Sequence, residues 1–260
     1  MGAHSGLMGS PMNPATLHVS IDDLAVDVPE GATVLDAVNR LGIALPQLCK
    51  DPDRSPLGAC RTCLVHVEGQ RGLPAACHLP ARDGMVVQTA HPDAVRVRRA
   101  VLDLTLSMLT PSTDRDGFGQ LGATAARHAL TRPGHDAHHH WDPDASKSFF
   151  VLDREACILC GRCTVACGDV QLIGAISLAG RGHDARVSVF GDADLASSVC
   201  TSCGQCVATC PTGALRPKEV SSPIVREVET TCPYCGVGCG ITLRVPAAVT
   251  LHERRGDAIA

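Results

Sequence analysis

Two stretches of the sequence decide the fold: CILCGRCTVAC at residues 157–167 and CTSCGQCVATCP at residues 200–211. Each contains four cysteines in the spacing C-x2-C-x2-C-x3-C, so the chain carries an internal repeat. Three thiolates at this spacing can occupy three corners of a [4Fe-4S] cubane, and the fourth cysteine of each run then reaches the other cluster. The repeat therefore predicts a two-cluster [4Fe-4S] ferredoxin-like domain over residues 148–220.

This crossing assigns the cysteines of the repeat to two clusters. We expect the first [4Fe-4S] cluster on Cys157, Cys160, Cys163 and Cys210, and the second on Cys200, Cys203, Cys206 and Cys167. Alternating runs at 148–153, 175–180 and 186–191 predict short strands around them. The alternative is a pair of zinc sites, but tetrahedral zinc does not require this triple spacing twice.

A different cysteine pattern lies nearer the N-terminus. It is C-x10-C-x2-C-x13-C, formed by Cys49, Cys60, Cys63 and Cys77. A long loop, a tight C-x2-C pair and a distant fourth ligand suit one [2Fe-2S] cluster, with the backbone N–H groups of Gly58 and Ala59 close to its sulfurs. A structural zinc site is the alternative, although zinc ribbons use two C-x2-C pairs and this region has one.

The residues around this pattern predict a small β-grasp domain over residues 14–92. Two alternating runs joined by Asp22-Asp23 indicate a β-hairpin, and a helix follows from Thr33 to a C-terminal cap at Gly42. Strand-like runs at residues 64–69 and 85–90 complete the sheet. Hairpin, helix and cysteine-bearing loop, in that order, place the chain in the α+β class.

The segment 93–147 contains no cysteine and is predicted to be a helix and a linker. Asp93 is the expected N-cap, the expected buried face is Val97, Val101, Leu104 and Met108, and Pro111 is expected to end the helix. The rest is rich in Gly, Asp, Arg and His, with a short helical possibility near residues 120–130. We interpret His135, His138, His139 and His140 as part of a solvated linker.

The last cysteines form an incomplete pattern. Cys232, Cys235 and Cys239 in CPYCGVGCG have the spacing C-x2-C-x3-C, and no cysteine follows. They suit a third [4Fe-4S] cluster only if a fourth ligand is supplied from elsewhere. A flexible tail, or a zinc knuckle completed by His252, remains the alternative. We therefore predict a partial [4Fe-4S] domain over residues 227–260.

Composition excludes several functional classes. The formal net charge of -4 does not fit a nucleic-acid-binding protein. An odd count of 15 cysteines, with no export-signal pattern at the N-terminus, argues against a disulfide framework and favours a cytoplasmic location. No run approaches the roughly 18 apolar residues that span a membrane. No nucleophile triad, P-loop or dinucleotide fingerprint is present, so no complete catalytic site is predicted.

Together, LGACRTCLV, CILCGRC, CTSCGQCVATCPTGAL and CPYCGVGCG resemble the N-terminal iron–sulfur region of the catalytic subunit of NAD-dependent, molybdenum- or tungsten-containing formate dehydrogenases. The same modules are similar to the large iron–sulfur subunit of complex I and to the small diaphorase subunit of NAD-reducing hydrogenases. CPYCGVGCG favours the dehydrogenase, since it resembles the start of the molybdopterin-binding catalytic domain. The resemblance implies two partners, namely a molybdopterin-type catalytic chain or domain and a flavin/NAD subunit.

The sequence departs from this family in two ways. Members usually carry a His-Cys-Cys-Cys cluster before the two-cluster domain, but residues 109–148 contain no cysteine. The chain also ends before the catalytic domain that the family would place next, which suggests a truncated or split catalytic subunit or a free-standing electron-transfer subunit. A hydrogenase or complex I-like diaphorase adaptor, and a non-redox zinc scaffold, remain competing interpretations.

Overall fold

A computed structural model describes residues 15–52, 54–109, 119–130, 141–218, 224–233 and 236–246, and the chain divides into two compact units, Met1–Pro217 and Lys218–Ala260. The strands are β1 (Thr16–Ile21), β2 (Leu24–Pro29), β3 (His66–Val67), β4 (Val86–Gln88), β5 (Phe150–Leu152), β6 (Ser177–Ala179), β7 (Arg186–Ser188), β8 (Leu215–Pro217), β9 (Ile224–Thr231) and β10 (Gly240–Pro246). The helices are α1 (Val34–Arg40), α2 (Pro92–Ser107), α3 (Gly119–Arg127), α4 (Arg162–Val165) and α5 (Gln205–Thr209). A π-helical turn, Ala166–Val170, follows α4 directly.

The first part of the larger unit is a four-stranded sheet with the order β2-β1-β4-β3. The predicted hairpin is confirmed, because β1 and β2 pair antiparallel around Asp22 and Asp23, which have φ angles of 48° and 66°. β4 runs parallel to β1 and antiparallel to β3. The two later strands are shorter than the runs at 64–69 and 85–90, since loop backbone replaces ladder pairing on both sides of them.

Helix α1 packs its apolar residues into the core of this sheet. Its first turn is held by a capping box, in which the Thr33 hydroxyl accepts the N–H of Asp36 and the Asp36 carboxylate accepts the N–H of Thr33. Val34, Leu35 and Val38 are completely buried against the strands. The helix therefore fixes where the following loop, which carries Cys49, begins.

Helix α2 corrects two predictions. Its N-cap is His91, whose Nδ1 accepts the N–H of Asp93 at 3.2 Å, so Asp93 lies inside the first turn. The buried residues are Ala94, Arg98, Leu102 and Leu106, whereas the predicted face is half-buried and its Leu104 is 53% exposed. The prediction failed because one position of the true face is an arginine. Pro111 lies outside the described residues.

The segment after α2 is more than a linker. Helix α3 confirms the helical possibility near residues 120–130, and its Leu121 and Ala125 are buried. They pack with Leu102 and Leu106 of α2, with Leu48 of the first cysteine loop and with Ala156 of the later domain. This cluster joins the sheet domain to the cysteine repeat. The histidines at 135, 138, 139 and 140 lie outside the described residues.

The cysteine repeat is framed by two small antiparallel ladders, β5 with β8 and β6 with β7. Phe150, Leu152, Val187 and Leu215 of these strands form a third apolar cluster with Val189, which follows β7. The strands predicted at 148–153, 175–180 and 186–191 are therefore confirmed as shorter elements. Helices α4 and α5 each follow a glycine in the left-handed region, Gly161 and Gly204.

The second unit contains one antiparallel hairpin in its described part. β9 and β10 pair from Thr231 opposite Gly240 outwards, and Glu227 and Arg244 form an ion pair of 2.9 Å across the ladder. β9 begins at Ile224, before residue 227, where the sequence analysis placed the start of the partial [4Fe-4S] domain. Within the described ranges of both units, no helix is long and apolar enough to cross a membrane.

Candidate metal centre

The thiols of the N-terminal pattern, which we name site 1, form two contacting pairs. Cys49 pairs with Cys60, and Cys63 pairs with Cys77. The hydrogen bond within the first pair raises the pKa of Cys49 and lowers that of Cys60 to about 5. In the second pair, the hydrogen bond lowers the pKa of Cys63 and raises that of Cys77. Two pairs of thiols provide the four donors that a two-iron cluster needs.

The loop before Cys60 is shaped by close backbone contacts. The N–H of Ala59 points at the Cys49 sulfur, as predicted. Gly58 has a different role, since a Cβ on it would lie 2.8 Å from the His78 ring and its φ is +67°. Glycine is needed there because the His78 ring occupies the space of a side chain and because the backbone is left-handed.

Two residues that the sequence analysis missed surround site 1. The hydroxyl of Thr62 lies 3.1 Å from the Cys60 sulfur and is fully buried. Arg98 is 5% exposed, and its guanidinium donates to the carbonyls of Leu64 and Thr89 at 2.9 and 2.7 Å. Burial lowers the pKa of Arg98, and charge on Asp22, followed by charge on Cys63, opposes this shift. Thr62 thus places a hydroxyl donor near the Cys60 sulfur, and Arg98 places a positive charge near the Cys63 sulfur.

The sulfurs of Cys157, Cys160, Cys163 and Cys210, which we name site 2, line one cavity with Ile158, Pro211 and Ala214. Burial, followed by negative charge on neighbouring cysteines, raises the pKa of Cys157 to about 12. The backbone N–H groups of Leu159 and Leu215 donate to the Cys157 and Cys210 sulfurs, each at 3.4 Å. The fourth cysteine of the second run thus lies with the first three of the first run.

Cys200, Cys203, Cys206 and Cys167, which we name site 3, line a second, mostly apolar cavity with Ile173 and Ile176. Cys167 lies in the π-helical turn after α4, which takes it out of the 3.6-residue register of Cys163. The N–H of Ala175 donates to its sulfur at 3.2 Å. Burial, and then charge on the other three cysteines, raises the pKa of Cys206 to about 11.

Sites 2 and 3 share a wall. Leu152, Val187 and Leu215 line both cavities, so three aliphatic side chains separate them. Burial raises the pKa of Cys163 in site 2, and one of the smaller contributions comes from charge on Cys206 in site 3. The two sets of thiols are therefore adjacent and separated by apolar side chains.

Sites 1 and 2 are also adjacent. Leu48 and Cys49 share an apolar cluster with Cys160, and Cys60 and Cys157 pack against that cluster. Burial raises the pKa of Cys160 to about 11, and charge on Cys60 adds to this effect. The Thr209 hydroxyl donates to the Asp51 carboxylate at 2.5 Å across the same junction. Site 2 thus lies between sites 1 and 3 in one compact unit.

The remaining cysteines, which we name site 4, lie in the second unit. Cys232 and Cys239 are at the end of the β9–β10 hairpin, where the N–H of Cys232 donates to the carbonyl of Cys239 at 2.8 Å. Cys239 is exposed, and Cys235 lies outside the described residues. The described part of site 4 therefore brings two of the three predicted ligands to one end of a hairpin.

The donor sets of sites 1 to 3 fit iron–sulfur clusters. Where the chain is described, no three His, Cys, Asp or Glu side chains converge on a position for a single ion. The thiols of sites 2 and 3 instead surround cavities, and backbone N–H groups point at their sulfurs. Burial disfavours free thiolates there, whereas metal-bound sulfur is deprotonated and accepts such N–H bonds.

Comparison with known domain families agrees with this chemistry. Residues 14–92 match the 2Fe-2S iron-sulfur cluster binding domain, residues 156–214 the 4Fe-4S dicluster domain, and residues 225–257 the molybdopterin oxidoreductase Fe4S4 domain. The chain is therefore an iron–sulfur protein that combines these three domain types.

Known proteins that resemble the chain are subunits of larger oxidoreductases. The NADP-reducing hydrogenase subunit HndD of Solidesulfovibrio fructosivorans is 38% identical over 213 residues, which cover 78% of this chain and 36% of that protein. A subunit of an NADH-quinone oxidoreductase of Rhizobium meliloti is 36% identical over 243 residues, covering 87% of this chain and 27% of that protein. The chain thus spans about a third of such relatives.

A solved structure has the same arrangement over most of its length. In an NAD+-reducing [NiFe]-hydrogenase in the H2-reduced state, one chain superposes with a TM-score of 0.72 and 29% identity, covering 81% of this chain and 92% of that one. The fold and the iron–sulfur domains are therefore shared with hydrogenase and NADH-quinone oxidoreductase subunits. Similarity specific to formate dehydrogenase is not among these findings.

Proposed function

We propose that this chain is the iron–sulfur electron-transfer part of a multi-subunit oxidoreductase that exchanges electrons with a nicotinamide cofactor. The observation that carries the proposal is the series of three thiol sets in one compact unit, with site 2 between sites 1 and 3. A series of closely spaced clusters in an apolar interior is suited to moving single electrons across a protein. No catalytic residue is assigned to the chain.

The proposed ligands are those of the four cysteine sets. Cys49, Cys60, Cys63 and Cys77 would hold one [2Fe-2S] cluster, and sites 2 and 3 would each hold one [4Fe-4S] cluster. Cys232, Cys235 and Cys239 would contribute to a further [4Fe-4S] cluster with a ligand from elsewhere. When bound, each cluster accepts and releases one electron with a potential set by burial, charge and hydrogen bonds to sulfur.

The protein's own residues set the environment of each site. Leu152, Val187 and Leu215 exclude water between sites 2 and 3, and Leu48 does so between sites 1 and 2. The N–H groups of Leu159, Ala175 and Leu215 stabilise negative charge on sulfur. The direct adjacency of sites 1 and 2 supports a route that needs no His-Cys-Cys-Cys cluster between them.

The first candidate for the complex is a formate dehydrogenase-like enzyme. A molybdopterin-type catalytic chain or domain would lie on the side of site 4, and a flavin/NAD subunit would exchange electrons with site 1. The match of residues 225–257 to a molybdopterin oxidoreductase Fe4S4 domain supports this candidate. The metal of the pterin site, molybdenum or tungsten, belongs to the partner.

The second candidate is a diaphorase-type adaptor of a hydrogenase or an NADH-quinone oxidoreductase. The identity of 38% with a hydrogenase subunit and the TM-score of 0.72 with a chain of a [NiFe]-hydrogenase support it. It assigns the same clusters and the same nicotinamide-linked partner to the chain. The two candidates differ in the catalytic partner, which carries a pterin-bound metal in the first and does not in the second.

Both levels of the proposal are tested on protein purified anaerobically from its native host. Iron, acid-labile sulfide and EPR spectra should reveal one [2Fe-2S] and at least two [4Fe-4S] clusters. Zinc without iron would instead select the scaffold interpretation and end the proposal. A co-purifying subunit with a pterin cofactor would support the first candidate, and a nickel-containing subunit the second.

A further inference from the structure

The junction between sites 1 and 2 contains a buried arginine that is not a candidate cluster ligand. Arg162 lies between two ligand candidates, Cys160 and Cys163, and only 4% of it is exposed. It is the first residue of α4, and the left-handed Gly161 before it has φ 80°. Its backbone N–H points at the Cys160 sulfur of site 2.

The guanidinium of Arg162 connects the two domains. Its Nη1 donates to the carbonyl of Thr209 at 3.3 Å, and its Nη2 donates to the carbonyl of Gln47 at 3.2 Å and to that of Lys50. Gln47 and Lys50 lie on either side of Cys49, a candidate ligand of site 1. One planar group thus holds the Cys49 loop against the repeat domain.

The positive charge of Arg162 has carbonyl partners but no carboxylate partner among the described residues. Its Nε is buried and has no hydrogen-bond partner there. A buried charge needs compensation, and an arginine side chain does not lose its proton in a protein. The carboxylate of Asp51 lies at this junction, since it accepts the hydroxyl of Thr209, whose carbonyl accepts Nη1 of Arg162. The Cys160 sulfur of site 2 lies near as well, because the Arg162 charge lowers the pKa of Cys160 against the larger effect of burial.

We propose that Arg162 is a positioning residue shared by sites 1 and 2, which fixes the distance between their clusters and raises the reduction potentials of both. Four thiolates outweigh the positive charge of an iron–sulfide core, so each loaded site is anionic. Each becomes more anionic on reduction, and a fixed buried cation between them stabilises both reduced states. The inference rests on the proposed electron-transfer function.

The test uses the full-length chain with its clusters assembled, and three variants. Arg162→Gln removes the charge, and Arg162→Lys keeps the charge but loses the planar fork that reaches three carbonyls. Arg61→Gln is the matched control, because Arg61 also lies between two ligand candidates of a loaded site but is exposed. Potentials are measured by EPR-monitored redox titration, and the distance between clusters is followed by the magnetic interaction of the reduced centres.

In Arg162→Gln, the one-electron reduction equilibrium constants of both clusters should fall about tenfold, which corresponds to about 59 mV each. Arg162→Lys should keep both constants within about threefold of the wild type but weaken the magnetic interaction between sites 1 and 2. Arg61→Gln should change neither constant by more than about twofold, because water and salt screen an exposed charge.

Unchanged potentials in a fully loaded Arg162→Gln chain would overturn the inference. A fall of the reduction equilibrium constants in Arg162→Lys as large as that in Arg162→Gln would overturn it as well. If Arg162→Gln fails to assemble clusters, Arg162→Lys decides, because an unchanged magnetic interaction in that variant contradicts the positioning role. Absence of clusters from the wild-type chain would be a failure of the proposed function instead. The two failures are therefore separable.

Discussion

The hydroxyl oxygen of Thr62, a fully buried residue, lies 3.1 Å from the sulfur of half-buried Cys60. The same oxygen accepts the backbone N–H of Leu48 at 3.5 Å. Its own proton is therefore free to be donated, and a thiolate on Cys60 can only accept it. This bond contributes to the low pKa of Cys60, after the larger contribution from Cys49.

Thr62→Val should lower the reduction potential of the [2Fe-2S] cluster. The valine keeps the shape of the side chain but removes the donor, and hydrogen bonds to charged groups contribute about 1.5–3 kcal/mol. Because the bond strengthens as the sulfur becomes more negative, we expect a difference of about tenfold or less in the reduction equilibrium constant, or up to about 59 mV. An EPR-monitored redox titration measures it.

Thr62→Ser is the matched control for this prediction, since it keeps the hydroxyl and removes only a methyl group. Its potential should stay close to that of the wild type. A valine variant with the wild-type potential, or a serine variant that shifts as far as the valine variant, would show that the hydroxyl does not donate to Cys60.

Arg98→Leu should destabilise the N-terminal domain. The change leaves the buried carbonyls of Leu64 and Thr89 without donors, and an unsatisfied buried acceptor costs roughly 1–3 kcal/mol. We expect a loss of about 2–4 kcal/mol in the free energy of unfolding, measured by chemical denaturation of the loaded protein. Arg99→Leu, at an exposed neighbouring position, should change it by less than about 0.5 kcal/mol.

Arg98 also illustrates what the sequence could and could not predict. Hairpin, helix α1 and the short strands followed from local patterns, because their apolar positions and caps are adjacent in the chain. The buried face of α2 did not, since a pattern search for apolar residues rejects the position of Arg98. Only the structure shows that two carbonyls, those of Leu64 and Thr89, replace water around its guanidinium.

The candidate site, like the fold, could be predicted from the sequence only in part. Spacing identified the cysteine sets, because cluster ligation constrains neighbouring residues. The roles of Thr62 and Arg162 depend on partners far along the chain, such as Leu48 for the first and Gln47 for the second. Helix α3 was partly read as linker for a similar reason, since the cluster that buries Leu121 comes from three other segments.

A pH-dependent contribution to stability is expected at the edge of the sheet. His18 on β1 faces Asp27 on β2, and their hydrogen bond of 2.6 Å, with the carboxylate charge, raises the pKa of His18 above 6.5. A raised folded-state pKa stabilises the fold below the unfolded pKa, and this contribution disappears as pH rises through the folded value.

An NMR titration of the His18 ring should therefore have its midpoint above 6.5, and Asp27→Asn should lower that midpoint. The charge of Asp83 makes a smaller contribution to the raised pKa of His18, so a variant of Asp83 provides the comparison. Asp83→Asn should move the midpoint less than Asp27→Asn does. An equal or larger shift in Asp83→Asn would contradict the assignment of the ion pair.

The crossing of ligands between sites 2 and 3 predicts which cysteine variants should resemble each other. Cys157→Ala and Cys210→Ala each remove one thiol from the same cavity, although the two residues are far apart in sequence. Cys200→Ala and Cys167→Ala form the corresponding pair for the other cavity. We expect EPR spectra of the reduced variants to show loss or conversion of one cubane signal in the first pair and of the other in the second.

This comparison separates the crossed arrangement from one in which each C-x2-C-x2-C-x3-C run binds its own cluster. In the uncrossed arrangement, Cys210→Ala would match Cys200→Ala, because both residues belong to the second run. The structure favours the crossed arrangement for a physical reason. The π-helical turn carries Cys167 away from the site 2 cavity, and the chain reversal after α5 brings Cys210 into it, with the N–H of Leu215 donating to its sulfur at 3.4 Å. Iron content measured alongside the spectra distinguishes a lost cluster from a converted one, so each variant reports on the ligand of one site.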